Sequence, residues 1–451
     1  MQNKFNKITW AVAIAAAAFA SQANAGGYQI NEQSVSGQGY GHAGRSSNVN
    51  DASIVFGNPA GMSFLDRAQV TAGGTYLHVN TDIDNVAATR NGIPVEGTAD
   101  GDIVPGTLVP FAFYAHPVNE RLAFGFGLYA PFGSKTDYES SFAGRGLGNY
   151  TEVTVMTAQP TVSYRFNEQW SVGAGVTYNR VDGELRRQVP VQVAGLGVDT
   201  EFDSRVEGDD EAWGYNLGII FQPVPETTFG LTYRSKVSYT LEGDFRATAT
   251  TNIDNPITGD TIVPAGATVS QRNAQLKLTT PETVNFSVTQ QMTDRLKLMA
   301  GASWVRWSRF DEIRVTDPAG GESTNEQQNY SNAWAFAVGG EYQLTPQLAL
   351  RAGVTLDETP TNDNYRSARI PSDDRRIFSL GLGWTPTENL TLDFAYSYLT
   401  ERGTRVDQST NDSQDLPVPG VGIFESNVNS TYSADYKNEA HGFGAQLTYR
   451  F

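Results

Sequence analysis

The chain has 451 residues, with 32 basic and 49 acidic side chains, a formal net charge of −17 and no cysteine. So acidic a protein repels phosphate backbones, which argues against nucleic-acid partners, and without cysteine it has no disulfides to stabilise it after export. Its four histidines are scattered without metal-ligand spacing, so we predict no metal site and no cofactor.

Residues 1–25 have the pattern of a secretory signal peptide. A basic start is followed by an apolar stretch over residues 8–20, which is too short for a membrane-spanning helix. Ala23-Asn24-Ala25 fits a cleavage site, so we expect the mature chain to begin at Gly26 and to leave the cytoplasm.

The segment 26–67 is rich in Gly, Ser and Asn and lacks a continuous apolar period, so it cannot fold alone. Near its end, "DASIVFGNPAGM" closes on an Asn-Pro turn. Pro59 fixes its own φ and keeps Asn58 out of the helical region, and the Asn58 side chain can bond neighbouring backbone. We predict that Asn58, Pro59 and Ala60 brace this segment against whatever surrounds it.

From about residue 68 the chain alternates apolar and polar residues with period two, which predicts β-strands. In 390–398, for example, Leu, Leu, Phe, Tyr and Tyr fall on one face and Thr, Asp, Ala and Ser on the other. Similar alternation occurs at 122–129, 170–179 and 348–357. The apolar faces run about ten residues, the length that a tilted strand needs to cross a bilayer.

Short turns and long polar stretches alternate between these strands. The short turns lie at 117–120, 166–169, 223–227, 292–295, 344–347 and 385–389. The long stretches, read as loops, lie at 82–106, 134–149, 189–203, 247–270, 317–327, 359–373 and 406–435. This asymmetry is typical of outer-membrane barrels, and six plus seven connections require 14 strands.

We therefore predict an all-β protein, with residues 68–451 forming a 14-stranded antiparallel transmembrane β-barrel. The alternative is a secreted β-sandwich or propeller, which would need repeats of similar length, and the strands share no repeat motif. Barrels of about eight strands are filled by side chains and those of 16 to 18 hold a water channel. A 14-stranded barrel would leak, so we expect residues 26–67 to plug its lumen as a hatch.

Several motifs resemble the FadL-type long-chain fatty-acid transporters of the Gram-negative outer membrane. They are "GGYQINEQSVSGQGYGHAG" (26–44), "DASIVFGNPAGM" (51–62), "TPE" (280–282), Trp-Ser-Arg-Phe (307–310) and "IPSDDRR" (370–376). The similarity covers essentially the whole mature chain. Members of this family are 14-stranded barrels with an N-terminal hatch, and they take up long-chain fatty acids or, in some cases, aromatic hydrocarbons.

The resemblance also implies gating residues. Pro131 has no N–H to donate to a ladder and Gly133 tolerates a bend, so the third strand can break here. In family members a kink at the corresponding place makes a lateral opening, and Phe132 and Gly133 align with it; the alternative is that Pro131 merely ends the strand. The start of the family hatch occupies or shapes the ligand pocket. Tyr28, the third mature residue, is the corresponding aromatic here, unless it is an ordinary packing tyrosine.

The resemblance further places a carboxylate-binding arginine near Arg186 and Arg187. The alternative is that these are rim arginines in contact with lipopolysaccharide phosphate. A second family cation, a lysine before the tenth strand, is not evident, and Glu326 stands in that region. This departure leaves room for a neutral or aromatic substrate.

Together these features predict a monomeric importer that binds long-chain fatty acids in a hydrophobic site and releases them sideways at the third-strand kink, in contact with outer-membrane lipid and lipopolysaccharide. The alternative on the same fold is an importer of small aromatic hydrocarbons or alkanes. A general porin would lack the plug. A barrel enzyme would need a nucleophile and base, and the chain has no G-x-S-x-G motif and few histidines, so we do not predict an enzyme.

Overall fold

The structure is a computed structural model that describes residues 27–193, 198–255, 257–418 and 422–451. The predicted signal peptide lies outside the described residues. The helices are α1 (Val35–Gly39), α2 (Ile54–Gly57) and two 3-10 helices, Pro59–Phe64 and Trp307–Arg309. Helix α1 begins after Ser34, whose hydroxyl accepts a hydrogen bond from the Gly37 N–H and caps the helix.

Most of the other described residues lie in strands. The strands are β1 (Gln69–Arg90), β2 (Ile93–Pro94), β3 (Thr107–Pro117), β4 (Leu122–Asp137), β5 (Tyr150–Arg165), β6 (Trp170–Val193), β7 (Val198–Val224), β8 (Thr227–Arg234), β9 (Val237–Ala249), β10 (Ile253–Asp254), β11 (Thr261–Val263), β12 (Thr268–Thr280), β13 (Thr283–Gln291), β14 (Leu296–Val305), β15 (Glu312–Thr316), β16 (Glu322–Gln327), β17 (Ala333–Thr345), β18 (Leu348–Asp357), β19 (Arg375–Thr387), β20 (Leu390–Glu401), β21 (Thr404–Val418) and β22 (Gly422–Arg450).

Within the described residues these strands form one closed barrel of 14 antiparallel strands, which confirms the predicted fold. Five barrel strands are interrupted and carry two labels each: β8–β9, β12–β13, β14–β15, β16–β17 and β20–β21. Strand β2 and the β10–β11 hairpin lie outside this count. The barrel closes where β1 pairs with β22, from Gln69 opposite Arg450 to Arg90 opposite Ser430.

The connections at the two ends differ, as the sequence predicted. Short turns follow β3, β5, β7, β13, β17 and β19 in the part of the chain that the structure describes. Several predicted loops are wrong in extent. Strands β6 and β7 occupy most of 189–203, β21 and β22 most of 406–435 and β16 more than half of 317–327, while β1 and β4 continue to Arg90 and Asp137. Where their side chains are described, these extensions alternate buried apolar residues such as Val189 and Phe202 with polar residues such as Glu201 and Asp203, so hydropathy alone predicts loops.

The outer surface of the barrel carries a band of exposed apolar side chains. On β7, for example, Trp213, Tyr215, Leu217 and Ile219 are exposed and alternate with residues that face the lumen. Such a band is the lipid-facing surface of a transmembrane barrel. No described helix is long and apolar enough to cross a bilayer.

Candidate ligand-binding and gating site

Residues 27–67, which we call the leading segment, contact the inner face of the barrel on several sides. Gln38 donates a hydrogen bond to the Ser397 hydroxyl on β20 at 2.9 Å. At a strand that is not a neighbour of β20, the Ser47 hydroxyl lies 2.7 Å from the hydroxyl of Thr289 on β13. A segment too polar to fold alone thus has its polar groups satisfied by wall side chains.

The Asn-Pro turn bonds both the leading segment and the wall. Asn58 is extended (φ −159°), and its Oδ1 accepts a hydrogen bond from the Ala60 N–H at 3.0 Å, which caps the 3-10 helix Pro59–Phe64. The Asn58 Nδ2 donates to the Ser46 carbonyl at 2.7 Å and to the Ile219 carbonyl on β7 at 3.0 Å. One side chain therefore joins two parts of the leading segment to a barrel strand.

Inward-facing glycines let the leading segment approach the wall more closely than side chains would permit. A Cβ atom on Gly230 of β8 would lie 1.8 Å from the Ser46 carbonyl oxygen, and one on Gly353 of β18 would lie 2.2 Å from the Tyr40 carbonyl carbon. Equally close approaches occur at Gly173, Gly218, Gly301 and Gly339. Residues 35–64, which we call the body of the leading segment, are therefore packed against bare backbone.

Strand β4 contains the predicted kink as a β-bulge. Its register against β5 shifts between Tyr129 and Phe132, and the strand continues to Asp137, so the alternative that Pro131 ends it is wrong. The ladder between β3 and β4 stops at the pair Phe111–Tyr129. Beyond the bulge, β4 is not paired with β3, although β3 continues to Thr107 alongside β1.

The start of the leading segment, residues 27–33, bonds β4 along this stretch. The Ile30 N–H donates to the Pro131 carbonyl at 2.9 Å, and the Gly133 N–H donates to the Tyr28 carbonyl at 2.7 Å. These bonds satisfy backbone groups that β3 leaves unpaired. The start therefore lies on the lumen side of the β4 edge that is not paired with β3.

The Tyr28 ring lies in a cluster of five aromatic rings. Its centroid is 4.7 Å from that of Trp307, 5.4 Å from Phe310 and 5.9 Å from Phe132. Tyr330 packs edge-on against Phe310 at 5.0 Å. Offset and edge-to-face contacts of this kind add about 0.5–1.5 kcal/mol each to the burial of the rings. The aromatic cluster lies between two cavities.

On one side of the aromatic cluster is an apolar pocket that encloses about 710 Å³ of space between atoms, counted together with the solvent at its mouth. Tyr28 and Phe310 line one end of it. Its aliphatic lining includes Val153, Leu185, Leu241, Leu276, Leu278 and Ile313. Charged lining residues such as Lys277 alternate with these aliphatic side chains along the same strands and so point to the other face of the sheet.

The two arginines expected to bind a carboxylate lie on opposite faces of β6. Arg186 forms an ion pair with Glu184 and lies over the Tyr150 ring, 4.6 Å from its centroid. Arg187 is buried and faces the lumen. Successive residues of a strand point to opposite faces, so counting along β6 from the outward Trp170 would have placed Arg186 and Arg187 on opposite faces from the sequence alone. Neither is among the residues that line the apolar pocket.

Glu326, which stands where the family resemblance suggested a lysine, is part of a structural ion pair. It lies 3.0 Å from the buried guanidinium of Arg369, which also donates to the Leu147 and Tyr150 carbonyls. The ion pair joins the connection between β18 and β19 to β16, and the bond to Tyr150 joins it to the start of β5. Ile370, the next residue, lines the apolar pocket.

On the other side of the aromatic cluster is a larger and more polar cavity, with an empty volume of about 830 Å³. Trp307, Glu32 and Arg45 line it. Burial raises the pKa of the Glu32 carboxyl, and the charges of Arg45 and Arg375 oppose that rise. Burial also lowers the pKa of Arg45 to about 10, and the nearby charge of Arg234 adds to that shift. The lumen therefore changes from apolar to charged across the aromatic cluster.

Sequence reasoning missed how Trp307 is held in the aromatic cluster. Glu282, between β12 and β13, accepts hydrogen bonds from Arg306 at 3.1 Å and from Arg309 at 2.9 Å. These bonds fix the 3-10 turn Trp307–Arg309 beside a neighbouring strand. The available signal was that the period-two alternation breaks off at both places, which marks interrupted strands.

The chain is similar to known outer-membrane proteins. A family model described as "Outer membrane protein transport protein (OMPP1/FadL/TodX)" matches residues 16–451. Outer membrane protein P1 of Haemophilus influenzae is 29% identical, with 99% of this chain and 100% of that protein covered. The long-chain fatty acid transport protein of Escherichia coli O6:H1 is 26% identical, with 98% of both chains covered.

A solved structure, that of a Pseudomonas aeruginosa FadL homologue, superimposes with a TM-score of 0.80 at 25% identity. The alignment covers 94% of this chain and 99% of that one. The similarity therefore extends to the barrel as a whole.

Proposed function

The chain belongs to the OMPP1/FadL/TodX family of outer-membrane transport proteins, and from this premise we propose that it imports long-chain fatty acids by binding them in the apolar pocket and releasing them sideways through the wall at β4. The family transports hydrophobic compounds across the Gram-negative outer membrane. One family member similar to this chain is the long-chain fatty acid transport protein of Escherichia coli O6:H1.

The observation that carries the proposal is the position of Tyr28. Its ring lies at the end of the apolar pocket, while its carbonyl accepts the N–H of Gly133 on the bulged strand. A ligand that displaces the ring would also pull on the backbone beside the interrupted β3–β4 ladder. Binding and wall opening are therefore linked through one residue.

Hydrophobic burial supplies the free energy for this task. Each buried methylene contributes about 0.8 kcal/mol, so a chain of about sixteen carbons gains on the order of 10 kcal/mol in a dry pocket. The same free energy opposes release into water. An exit through the wall into the bilayer avoids it, because the chain passes from one apolar surrounding to another.

In this scheme residues 26–67 act as the hatch, with Asn58, Pro59 and Ala60 anchoring its body. The start of the segment moves when ligand arrives and exposes the edge of β4 at Pro131 and Phe132. The closed barrel works as a monomer in contact with outer-membrane lipid and lipopolysaccharide. Arg186 contacts lipopolysaccharide, since it lies on the outer face, and Arg187 supports the inner wall.

The test is to fill the proposed exit. Gly133→Trp, measured in a Gram-negative host that lacks its own fatty-acid importer, should reduce oleate uptake at least tenfold while purified protein still binds oleate. Gly340→Leu on the lipid-facing side of β17 is the matched control and should leave both unchanged. Normal uptake by Gly133→Trp would remove the β4 exit from the mechanism.

A neutral substrate, such as an aromatic hydrocarbon or alkane, is the second candidate. It is favoured by the aliphatic lining of the apolar pocket and by the engagement of Arg186 with Glu184. Direct binding of oleate and of toluene to the purified protein separates the two. Tight oleate binding supports the fatty-acid function, whereas binding of toluene alone supports the second candidate.

A further inference from the structure

A third cavity, with room for about one water molecule while the leading segment is docked, lies between that segment and strands β7, β8 and β13. Two arginines line it: Arg45 from the leading segment and Arg234 from the end of β8. We call it the arginine chamber. Gln29 and Arg45 line both this chamber and the larger polar cavity, so the two spaces adjoin at the start of the leading segment.

The two guanidinium groups of the chamber are held by neutral partners. Arg45 donates to the Asn31 Oδ1 at 2.9 Å, and Arg234 donates to the Tyr129 hydroxyl at 2.6 Å and to the Phe56 carbonyl at 3.2 Å. Both also lie near the Phe56 ring, at 5.9 and 4.4 Å from its centroid. Within the described residues neither guanidinium has a carboxylate within ion-pair distance.

Further polar atoms of the chamber are unsatisfied. The hydroxyls of Thr232 and Thr283 and the Oδ1 of Asn216 have no hydrogen-bond partner among the described residues. All three side chains are at least nine-tenths buried, and all three line the chamber. Buried polar atoms are normally paired, so a set left open in one cavity indicates a group that binds there.

Together the charges and open hydroxyls define the chemistry of the missing partner. Two like charges in a low-dielectric space repel each other and are costly unless anions compensate them. The charges of Glu32 and Asp357 act on Arg45, but neither carboxylate forms an ion pair with it among the described residues. Guanidinium groups bind carboxylates by charge-assisted hydrogen bonds, and threonine hydroxyls can donate to the same oxygens. The chamber is polar throughout apart from Phe56, so it suits a headgroup and not an alkyl chain.

We propose that the arginine chamber binds the carboxylate of a fatty acid as the molecule passes the aromatic cluster on its way from the apolar pocket to the exit at β4. This inference rests on the proposed function and adds to it a site for the headgroup. It also explains how a fatty acid can use an apolar pocket whose inner side chains are uncharged. The chain binds first in the pocket, and the carboxylate is received farther along the path.

The route is consistent with the cavities that the structure connects. The displaced Tyr28 ring would open the apolar pocket to the polar cavity, and movement of Gln29 would open the polar cavity to the chamber. Tyr129, which holds Arg234, is the last residue of β4 paired with β3 before the bulge. The chamber therefore lies beside the proposed exit, where a headgroup would wait while the chain enters the bilayer.

The test compares oleate with oleyl alcohol, which has the same chain and no charge. Arg234→Gln should lower oleate uptake about tenfold, the effect of losing one charge-assisted hydrogen bond, and change oleyl alcohol uptake less than twofold. Arg234→Lys keeps the charge and should recover most of the oleate uptake. Arg186→Gln, an ion-paired arginine on the outer face, is the control and should not distinguish the two ligands.

Folding is checked by the heat-dependent gel mobility of each variant, and oleate binding to purified protein should stay within twofold of wild type. Equal losses for oleate and oleyl alcohol, or no loss for either, would overturn the chamber as a carboxylate site. Equal losses are also the result expected if the chamber holds an inorganic anion. Failure of the wild-type protein to import either ligand would instead overturn the proposed function, and the chamber inference with it.

Discussion

The body and the start of the leading segment are held in different ways. The body, residues 35–64, lies against glycines of many strands and is bonded to the wall by buried side chains such as Asn58 and Ser47. The start, residues 27–33, is held mainly on one side, by backbone hydrogen bonds and a Gln33 side-chain bond to β4, by the Tyr28 hydroxyl on Thr279 and by ring contacts of Tyr28. From this difference we propose that the body seals the barrel and that only the start moves.

Magnitudes support this division. Four hydrogen bonds to the wall at about 1 kcal/mol each, aromatic contacts of about 1 kcal/mol each and the burial of Tyr28 and Ile30 hold the start by several kcal/mol. Burial of a long alkyl chain gains on the order of 10 kcal/mol. A ligand can therefore displace the start, whereas the body has far more contacts to lose.

The largest expected effect comes from disrupting the body. Gly230→Val places a side chain where the Ser46 carbonyl oxygen lies, 1.8 Å from the ideal Cβ position, so the body cannot dock. We expect a loss of several kcal/mol of stability and large open steps in planar-bilayer conductance. Gly340→Val on the outer face of β17 is the control and should stay closed. A closed, stable Gly230→Val barrel would mean that the body does not form the seal.

A smaller effect is expected from removing the start. Deleting residues 26–29 removes Tyr28 and the bond to Gly133, so the apolar pocket loses one end while the body keeps its contacts. Oleate affinity should fall about tenfold, the scale of one lost aromatic residue at a binding site. Melting temperature should change by no more than a few degrees. Unaltered binding and uptake would show that the start takes no part in transport.

The period-two alternation of the sequence determines which parts of the fold and of the site could be predicted. Alternation and turn lengths were enough for 14 strands, because every barrel strand must present an apolar face to lipid. The aromatic cluster was not predictable in the same way, since Trp307, Phe310 and Tyr330 lie at interruptions, where no period operates. The Arg45–Arg234 chamber was also out of reach, because it joins residues 189 positions apart in sequence through the packing of the leading segment.

Some positions were predictable for local reasons. Asn58 is extended and caps its turn, as the following proline requires. The kink at Pro131 is present, but the sequence could not show that the strand continues as a bulge whose edge is bonded by Tyr28 and Ile30. Such pairing depends on a segment about 100 residues away, which local patterns do not report.

The smallest expected effect concerns pH. Burial raises the pKa of Glu32, so its neutral form favours the docked start. That stabilisation is fully present below the ordinary glutamate pKa and is lost as pH rises through the raised value. A cysteine introduced at Gln29, the only one in the chain, should react with a thiol reagent a few-fold faster as pH rises, after correction for thiol ionisation. Glu32→Gln should abolish the trend, and a trend that persists would assign it to another group.

The central claim is that the start moves and the body does not, and two engineered disulfides test it most directly. Gln29 and Phe132 face each other in an antiparallel bridge, a spacing that suits a disulfide, and Ser47 and Thr289 lie in hydrogen-bond contact. Oxidation of the Gln29→Cys/Phe132→Cys protein should stop oleate uptake, with recovery on reduction. Oxidation of Ser47→Cys/Thr289→Cys should leave uptake unchanged. Normal uptake with the start locked, or loss of uptake with only the body locked, would contradict the account.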